Sequence, residues 1–221
     1  MTIMGTIFVS HLTHDYSQTY HDDGFKPAKV VEDHIKAALD DGGHGHWITI
    51  SNDTSFEIEY DDCRTDDITM ACVNNKFRKE FLDGHSDTAS DFNLLLILDP
   101  EVEAGPNGVG TLDDPDEGEA ACTVRGAELI AEYEGEAERT GEINDDTDGR
   151  IRAAVHEVGH NFGMIHDDGL RYYEGVADEI RATPMGCDAG DTNTCGEQCT
   201  SFDTEKWDHY YSDCENMRIE L

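Results

Sequence analysis

The sequence has few cationic residues and no long apolar run. It contains 15 Lys and Arg residues in 221, and they form no cluster that could contact nucleic-acid phosphates. The longest apolar run, Leu94 to Leu98, is strand-sized, whereas a membrane-spanning helix needs about 20 apolar residues. We therefore expect neither nucleic-acid binding nor a membrane-spanning segment.

The first residues also lack the features of an export signal. The segment "MTIMGTIFVSHLTHDYSQ" has no basic start, no twin arginine and only a short apolar stretch. Seven cysteines nevertheless indicate an oxidising compartment. We expect an extracellular monomer, and the sequence leaves open whether an export segment was removed.

Acidic residues, by contrast, are abundant. The chain has 50 Asp and Glu residues and a formal net charge of −35. They are spread along the chain rather than gathered in a tail, and such a surface repels itself unless salt screens it. This favours adaptation to high salt. An acidic decoy for a basic partner and a low-affinity calcium store are the alternatives.

Four segments of the first half predict an α/β fold. Short apolar or β-branched segments predict strands, and apolar residues at helical spacing before two glycines predict a helix. The expected order is a strand at Thr6 to Leu12, a helix at 28–43, a strand at 46–51 and a buried strand at 91–100. This order predicts a mostly parallel sheet.

The second half is less regular. A Gly- and Pro-rich loop, 104–118, surrounds a short extended piece, Val109 to Leu112. The segment 123–135 fits strand or helix, and strand is favoured. A helix is predicted in the segment 145–163, with Asp146 to Asp148 as capping candidates. The last 55 residues are expected to be loop-rich.

The segment "HEVGHNFGMIHDDG" (156–169) holds three histidines and a glutamate in eleven residues. On a helix, His156 and His160 lie about 40° apart on one face and can bind one metal ion. A turn at Gly163 can bring His166 to the same ion. Three imidazoles and a water form an open, catalytic type of zinc site.

Glu157 is rotated by about 100° from His156, so it is placed to reach a water on the metal. A polar surface helix is the alternative interpretation, but the full H-E-x-x-H-x-x-G-x-x-H pattern is far more demanding than H-E-x-x-H. Asp167, beside His166, is the alternative third ligand.

The stretch "HEVGHNFGMIHD" resembles the zinc signature of the metzincin metalloendopeptidases, most closely the adamalysin branch. The resemblance implies a twisted, mostly parallel five-stranded sheet, an active-site helix and a small irregular C-terminal lobe. It predicts one catalytic domain, 1–221, with an upper lobe of about 1–165 and a lower lobe of about 166–221. Cys187, two residues after Met185, stands where other branches have a tyrosine ligand.

The same resemblance assigns further roles. Met185, nineteen residues after His166, would form the methionine turn below the zinc. The strand formed by Val109, Gly110, Thr111 and Leu112 would pair with substrate backbone. Cys122 would be bonded to Cys214.

Other cysteine and metal assignments come from the residues themselves. We expect a disulfide between Cys63 and Cys72 and one pair among Cys187, Cys195 and Cys199, with a second zinc as the alternative use of the C-terminal cysteines. The segment 144–149 resembles the opening of an EF-hand loop, but its twelfth position is Val155, so helix capping is favoured over Ca²⁺.

The predicted function is a zinc-dependent metalloendopeptidase that works in high salt on a protein or peptide substrate. A zinc-bound water would be activated by Glu157, which would then protonate the leaving amine. Two alternatives stay open: a catalytically silent zinc-containing module that binds peptides, and the acidic decoy. Zinc content and peptide hydrolysis separate the three.

Overall fold

A computed structural model describes residues 2–10, 25–51, 63, 70–82, 91–97, 108–110, 121–125, 145–165, 171–174, 179–183, 185, 206–207, 211, 213–216 and 219. In chain order the elements are β1 (Thr2–Ser10), α1 (Phe25–Asp41), β2 (Gly45–Ile50), α2 (Met70–Lys76) followed by a π-helical turn (Phe77–Phe81), β3 (Phe92–Ile97), β4 (Gly108–Gly110), β5 (Ala121–Arg125), α3 (Asp145–Asn161), β6 (Arg171–Glu174), β7 (Glu179–Ala182), β8 (Lys206–Trp207) and α4 (Asp213–Asn216).

The main sheet has the strand order β2-β1-β3-β5-β4. The first four of these strands are parallel to one another, which confirms the predicted mostly parallel α/β sheet. The short strand β4 pairs antiparallel with β5 over three residues and lies at the edge. The segment from residue 123, for which strand was favoured, begins within β5.

Strand β3 is buried on both faces, as its run of apolar residues from Leu94 predicts. Leu94 and Leu96 belong to the core on one side of the sheet, and Leu95 and Ile97 belong to the core on the other. The period of two along a strand places consecutive leucines in different cores. Helices therefore cover both sides of β3.

The first side of the sheet is covered by α1 and α3. Helix α1 ends at Asp41, and Gly43 has a positive φ of 74°, so the predicted glycine stop is confirmed. Helix α3 begins at Asp145, so Asp146 to Asp148 lie inside its first turn rather than before it. That part of the capping prediction is wrong, and the helical backbone of residues 145–149 is not the looped backbone that an EF-hand calcium site requires.

The second side is covered by α2 and the π-helical turn, neither of which was predicted from the sequence. Met70, Val73, Phe77 and Phe81 are buried there, and Phe8 of β1 meets the Phe77 ring edge-on at 5.4 Å between centroids. The helical spacing of these four residues was a usable signal. These four residues belong to the core on the side of the sheet that faces away from the candidate site.

A disulfide joins Cys63 to Cys72 in α2, as predicted from the sequence.

In the C-terminal part, β6 pairs with β7 and β7 pairs with β8. They form a small three-stranded sheet in a region that was expected to consist mainly of loops. Cys187, Cys195 and Cys199 lie outside the described residues. Among the helices that the structure describes, none is long and apolar enough to cross a bilayer.

Candidate metal centre

The histidine pair of α3 lies together with Glu157. His156 and His160 are four residues apart, and their ring centroids are 4.8 Å apart with the rings nearly perpendicular. One ligand atom from each of His156, Glu157 and His160 lies within 4.8 Å of the others. In the described part of the chain, these residues form the one group of three or more side chains that could hold a metal ion.

The donor set fits a zinc ion. His160 Nδ1 lies 2.9 Å from the carbonyl oxygen of Met164, so a protonated Nδ1 donates to that carbonyl. Nε2 is then unprotonated, and its lone pair can bind a metal ion. A second hydrogen bond of this kind fixes the tautomer and ring orientation of metal-binding histidines. Both imidazoles are half-buried, so they can contact an ion at the protein surface.

Glu157 is buried beside the two histidines, with 8% of its surface exposed. Burial raises the pKa of its carboxyl to about 8, although the Gly110 N–H donates a hydrogen bond to it and the Arg152 charge lies nearby. A dication bound at the histidines would favour the carboxylate form and lower this pKa. A carboxyl whose pKa lies near the working pH can accept and return a proton.

Two glycines of β4 make room for Glu157. A methyl group at Gly108 would lie 2.6 Å from Glu157 Cγ, and one at Gly110 would lie 2.8 Å from Glu157 Oε2 and from the Glu157 carbonyl oxygen. Both distances are too short for real carbon atoms. The edge strand therefore lies directly on the glutamate because neither position has a side chain.

A third glycine makes room below the histidines. A methyl group at Gly159, the residue before His160, would lie 2.5 Å from Met185 Sδ. Met185 is fully buried. The structure thus places Met185 against the helix segment that carries the histidines.

Helix α3 ends at Asn161, and Gly163 has a positive φ of 80°, which is the turn predicted from the motif. Asn161 donates a hydrogen bond to the carbonyl oxygen of Ala121 in β5 at 3.2 Å, which ties the end of the helix to the sheet. His166, Asp167, Thr111 and Leu112 lie outside the described residues. Val109 and Gly110 lie in β4, at the edge of the sheet as predicted.

The predicted disulfide between Cys122 and Cys214 is wrong. Cys122 is a free, fully buried thiol in β5, and its Sγ lies 3.7 Å from the Asn93 carbonyl oxygen, to which it donates. Its pKa is raised well above the ordinary value, first by burial and then by the charge of Glu157. The thiol is thus held protonated inside the core.

If Glu157 has the catalytic role predicted from the sequence, Gly110→Ala should lower kcat for peptide hydrolysis by about 10²-fold, because displacement of a catalytic group by about 1 Å has an effect of that size. The added methyl group must push either Glu157 or β4 aside. Zinc content should stay at the wild-type level, since Gly110 offers no ligand atom. The measurement is hydrolysis of a quenched peptide together with zinc stoichiometry.

Gly43→Ala is the matched control, because nothing lies within 4 Å of a methyl group there and only the positive φ of 74° opposes it. It should destabilise the protein by about 1 kcal/mol and leave kcat unchanged. Equal kcat values for the two variants would contradict the role given to Gly110.

Comparisons with known proteins give little guidance. No protein-family model and no curated protein matches the chain. Among solved structures, one described as "Structure of a chaperone-substrate complex" aligns with 84% of this chain at 12% sequence identity and a TM-score of 0.47. The chain spans 28% of the length of that chain. This similarity is too low to support any statement about function.

Proposed function

We propose that the protein is a zinc-dependent metalloendopeptidase of metzincin type. The observation that carries the proposal is the grouping of His156, Glu157 and His160 on one helix, with the glutamate buried beside the imidazoles. A structural zinc ion is bound by four protein ligands and needs no further carboxylate beside them. His166, three residues after the turn at Gly163, is the proposed third ligand.

The surroundings of this group support the same proposal. An antiparallel edge strand lies beside the glutamate, and a buried methionine lies beneath the residue that precedes the second histidine. Both features were expected from the resemblance of residues 156–167 to metzincins. The division into an upper and a lower lobe, at about residue 165, remains part of the proposal.

Bound at these histidines, zinc would supply Lewis acidity toward a carbonyl oxygen and lower the pKa of a coordinated water to about 7. Glu157 accepts the proton of the attacking water at a carboxylate oxygen and returns it to the nitrogen of the leaving amine. The Gly110 N–H keeps that carboxylate in place, and β4 shields it from bulk water on one side.

The proposed substrate is an extended peptide or protein segment. Strand β4 has β5 as its partner on one side and forms the edge of the sheet on the other. An extended peptide can pair with such an edge through backbone hydrogen bonds. Its scissile bond would then lie next to Glu157, because β4 and the glutamate are in contact.

The deciding experiment measures zinc content and hydrolysis of a generic protein substrate in 2 M NaCl. We expect one zinc per chain and turnover that stops after treatment with a chelator and returns with added zinc. A protein that binds zinc and cleaves no peptide would favour a binding module. A protein that binds no zinc but binds basic proteins would favour the decoy.

We also propose an extracellular location and adaptation to high salt, and the second proposal can be tested by melting. The net charge of −35 repels itself over a Debye length of about 30 Å at 0.01 M salt but only about 3 Å at 1 M. The melting temperature should therefore rise strongly between 0.01 M and 2 M NaCl. Far-UV circular dichroism gives the curves, and curves unchanged over this range would contradict high-salt adaptation.

A further inference from the structure

The methionine turn is held by a buried carboxylate from a distant part of the chain. Glu215 of α4 has no exposed surface, and its Oε1 accepts a hydrogen bond from the backbone N–H of Met185 at 2.7 Å. Burying a carboxylate is unfavourable unless hydrogen bonds compensate it. Met185 thus has both its side chain and its backbone fixed, by Gly159 on one side and Glu215 on the other.

A second side chain from the same region reaches the helix itself. The Tyr211 hydroxyl donates a hydrogen bond of 2.6 Å to the carbonyl oxygen of Val155, the residue before His156. Burial, together with the nearby charge of Glu215, raises the pKa of Tyr211 well above its ordinary value, so the phenol remains a donor. The Tyr211 ring also approaches Gly159, where a methyl group would lie 3.4 Å from Cε1.

We infer that Tyr211 and Glu215 are positioning residues of the metal centre. Glu215 fixes Met185 beneath Gly159, and Tyr211 fixes the turn of α3 that carries His156. Neither side chain belongs to the histidine and glutamate group, so both act through the helix and the methionine. The inference rests on the proposed function only in placing zinc at His156 and His160.

Zinc affinity, measured by competition with a chromophoric chelator, tests this inference. Glu215→Ala should weaken zinc binding by about 10- to 100-fold, the usual effect of removing a group that supports metal ligands. Glu215→Gln should bind zinc nearly as well as the wild type, because an amide oxygen accepts the same N–H. Tyr211→Phe should weaken binding by about two- to tenfold, the effect of one neutral hydrogen bond.

Loss of stability alone must be distinguished from loss of positioning. Val73→Ala is the control, because Val73 is buried on the opposite side of the sheet, in the core formed with α2. It should lower the melting temperature of the zinc-free protein and leave zinc affinity unchanged. Chelator competition is run well below the melting temperature of every variant.

The inference is overturned if Glu215→Ala binds zinc like the wild type, or if Glu215→Gln is as weak as Glu215→Ala. It is also overturned if Val73→Ala weakens zinc binding as much as Glu215→Ala does. A wild type that takes up no zinc would overturn the inference and the proposed function together. A wild type that shows the expected affinities but cleaves no peptide would support the inference and overturn the proposed function.

Discussion

Replacing Glu157 with Gln should reduce kcat by about 10³- to 10⁴-fold, the upper end of what general acid–base catalysis supplies. In the proposed mechanism one carboxylate serves both the attack and the departure of the amine, so both steps would lose their proton carrier. The amide is nearly isosteric, and its oxygen can still accept the hydrogen bond of the Gly110 N–H. Zinc should remain bound, because Glu157 is not a ligand in the proposed mechanism.

The matched control is Glu32→Gln. Glu32 is also a buried glutamate, with 6% of its surface exposed, but it lies in α1, where it pairs with Lys29 and Lys36. Its replacement should leave peptide hydrolysis unchanged. A Glu157→Gln protein that cleaves the peptide within tenfold of the wild-type rate would remove the glutamate from the mechanism.

Replacing His160 with Ala should abolish stoichiometric zinc binding, and peptide hydrolysis with it. Two of the proposed ligands would remain, which is too few for a stable zinc site. The loss should appear in elemental analysis of the purified protein as well as in the assay. The variant thereby differs from Glu157→Gln, which keeps its zinc.

The control for His160→Ala is His34→Ala in α1. His34 Nδ1 also bonds to a backbone carbonyl, that of Val30 at 2.8 Å, but His34 is not part of the candidate metal group. Its loss should leave zinc content at the wild-type level.

The same assay separates the two candidates for the third ligand. His166→Ala should lose zinc, and Asp167→Ala should retain it.

Local patterns predicted the parts of the molecule that depend on short sequence distances. The strands β2 and β3 and the glycine stop after α1 lie close to their predicted positions, whereas β1 begins at Thr2 and ends at Ser10, earlier than the predicted Thr6 to Leu12. The histidine pair follows from helical spacing alone. Each of these features is encoded within about twenty residues, so one sequence is enough to find it.

Contacts between distant segments were not predictable in this way. Nothing in the sequence of α4 indicates that Glu215 accepts a hydrogen bond from Met185. Gly108 was assigned to a loop and Gly110 to the edge strand, but the sequence did not show that the lack of side chains at both positions lets the strand lie on Glu157. The Cys122 disulfide failed for the same reason, because burial in the sheet interior depends on strand order rather than on cysteine spacing.

The support beneath the candidate metal centre also affects the order in which the protein can assemble. Its two hydrogen bonds join residues 30 and 56 positions apart, so a long segment must be brought back to α3 before they form. Helix α3 and the strands that it contacts all lie earlier in the chain, so their contacts do not require the later segment. During synthesis, the histidine pair therefore emerges before Tyr211 and Glu215, and if these two residues position the metal centre as inferred, high zinc affinity would be acquired only when that later segment docks.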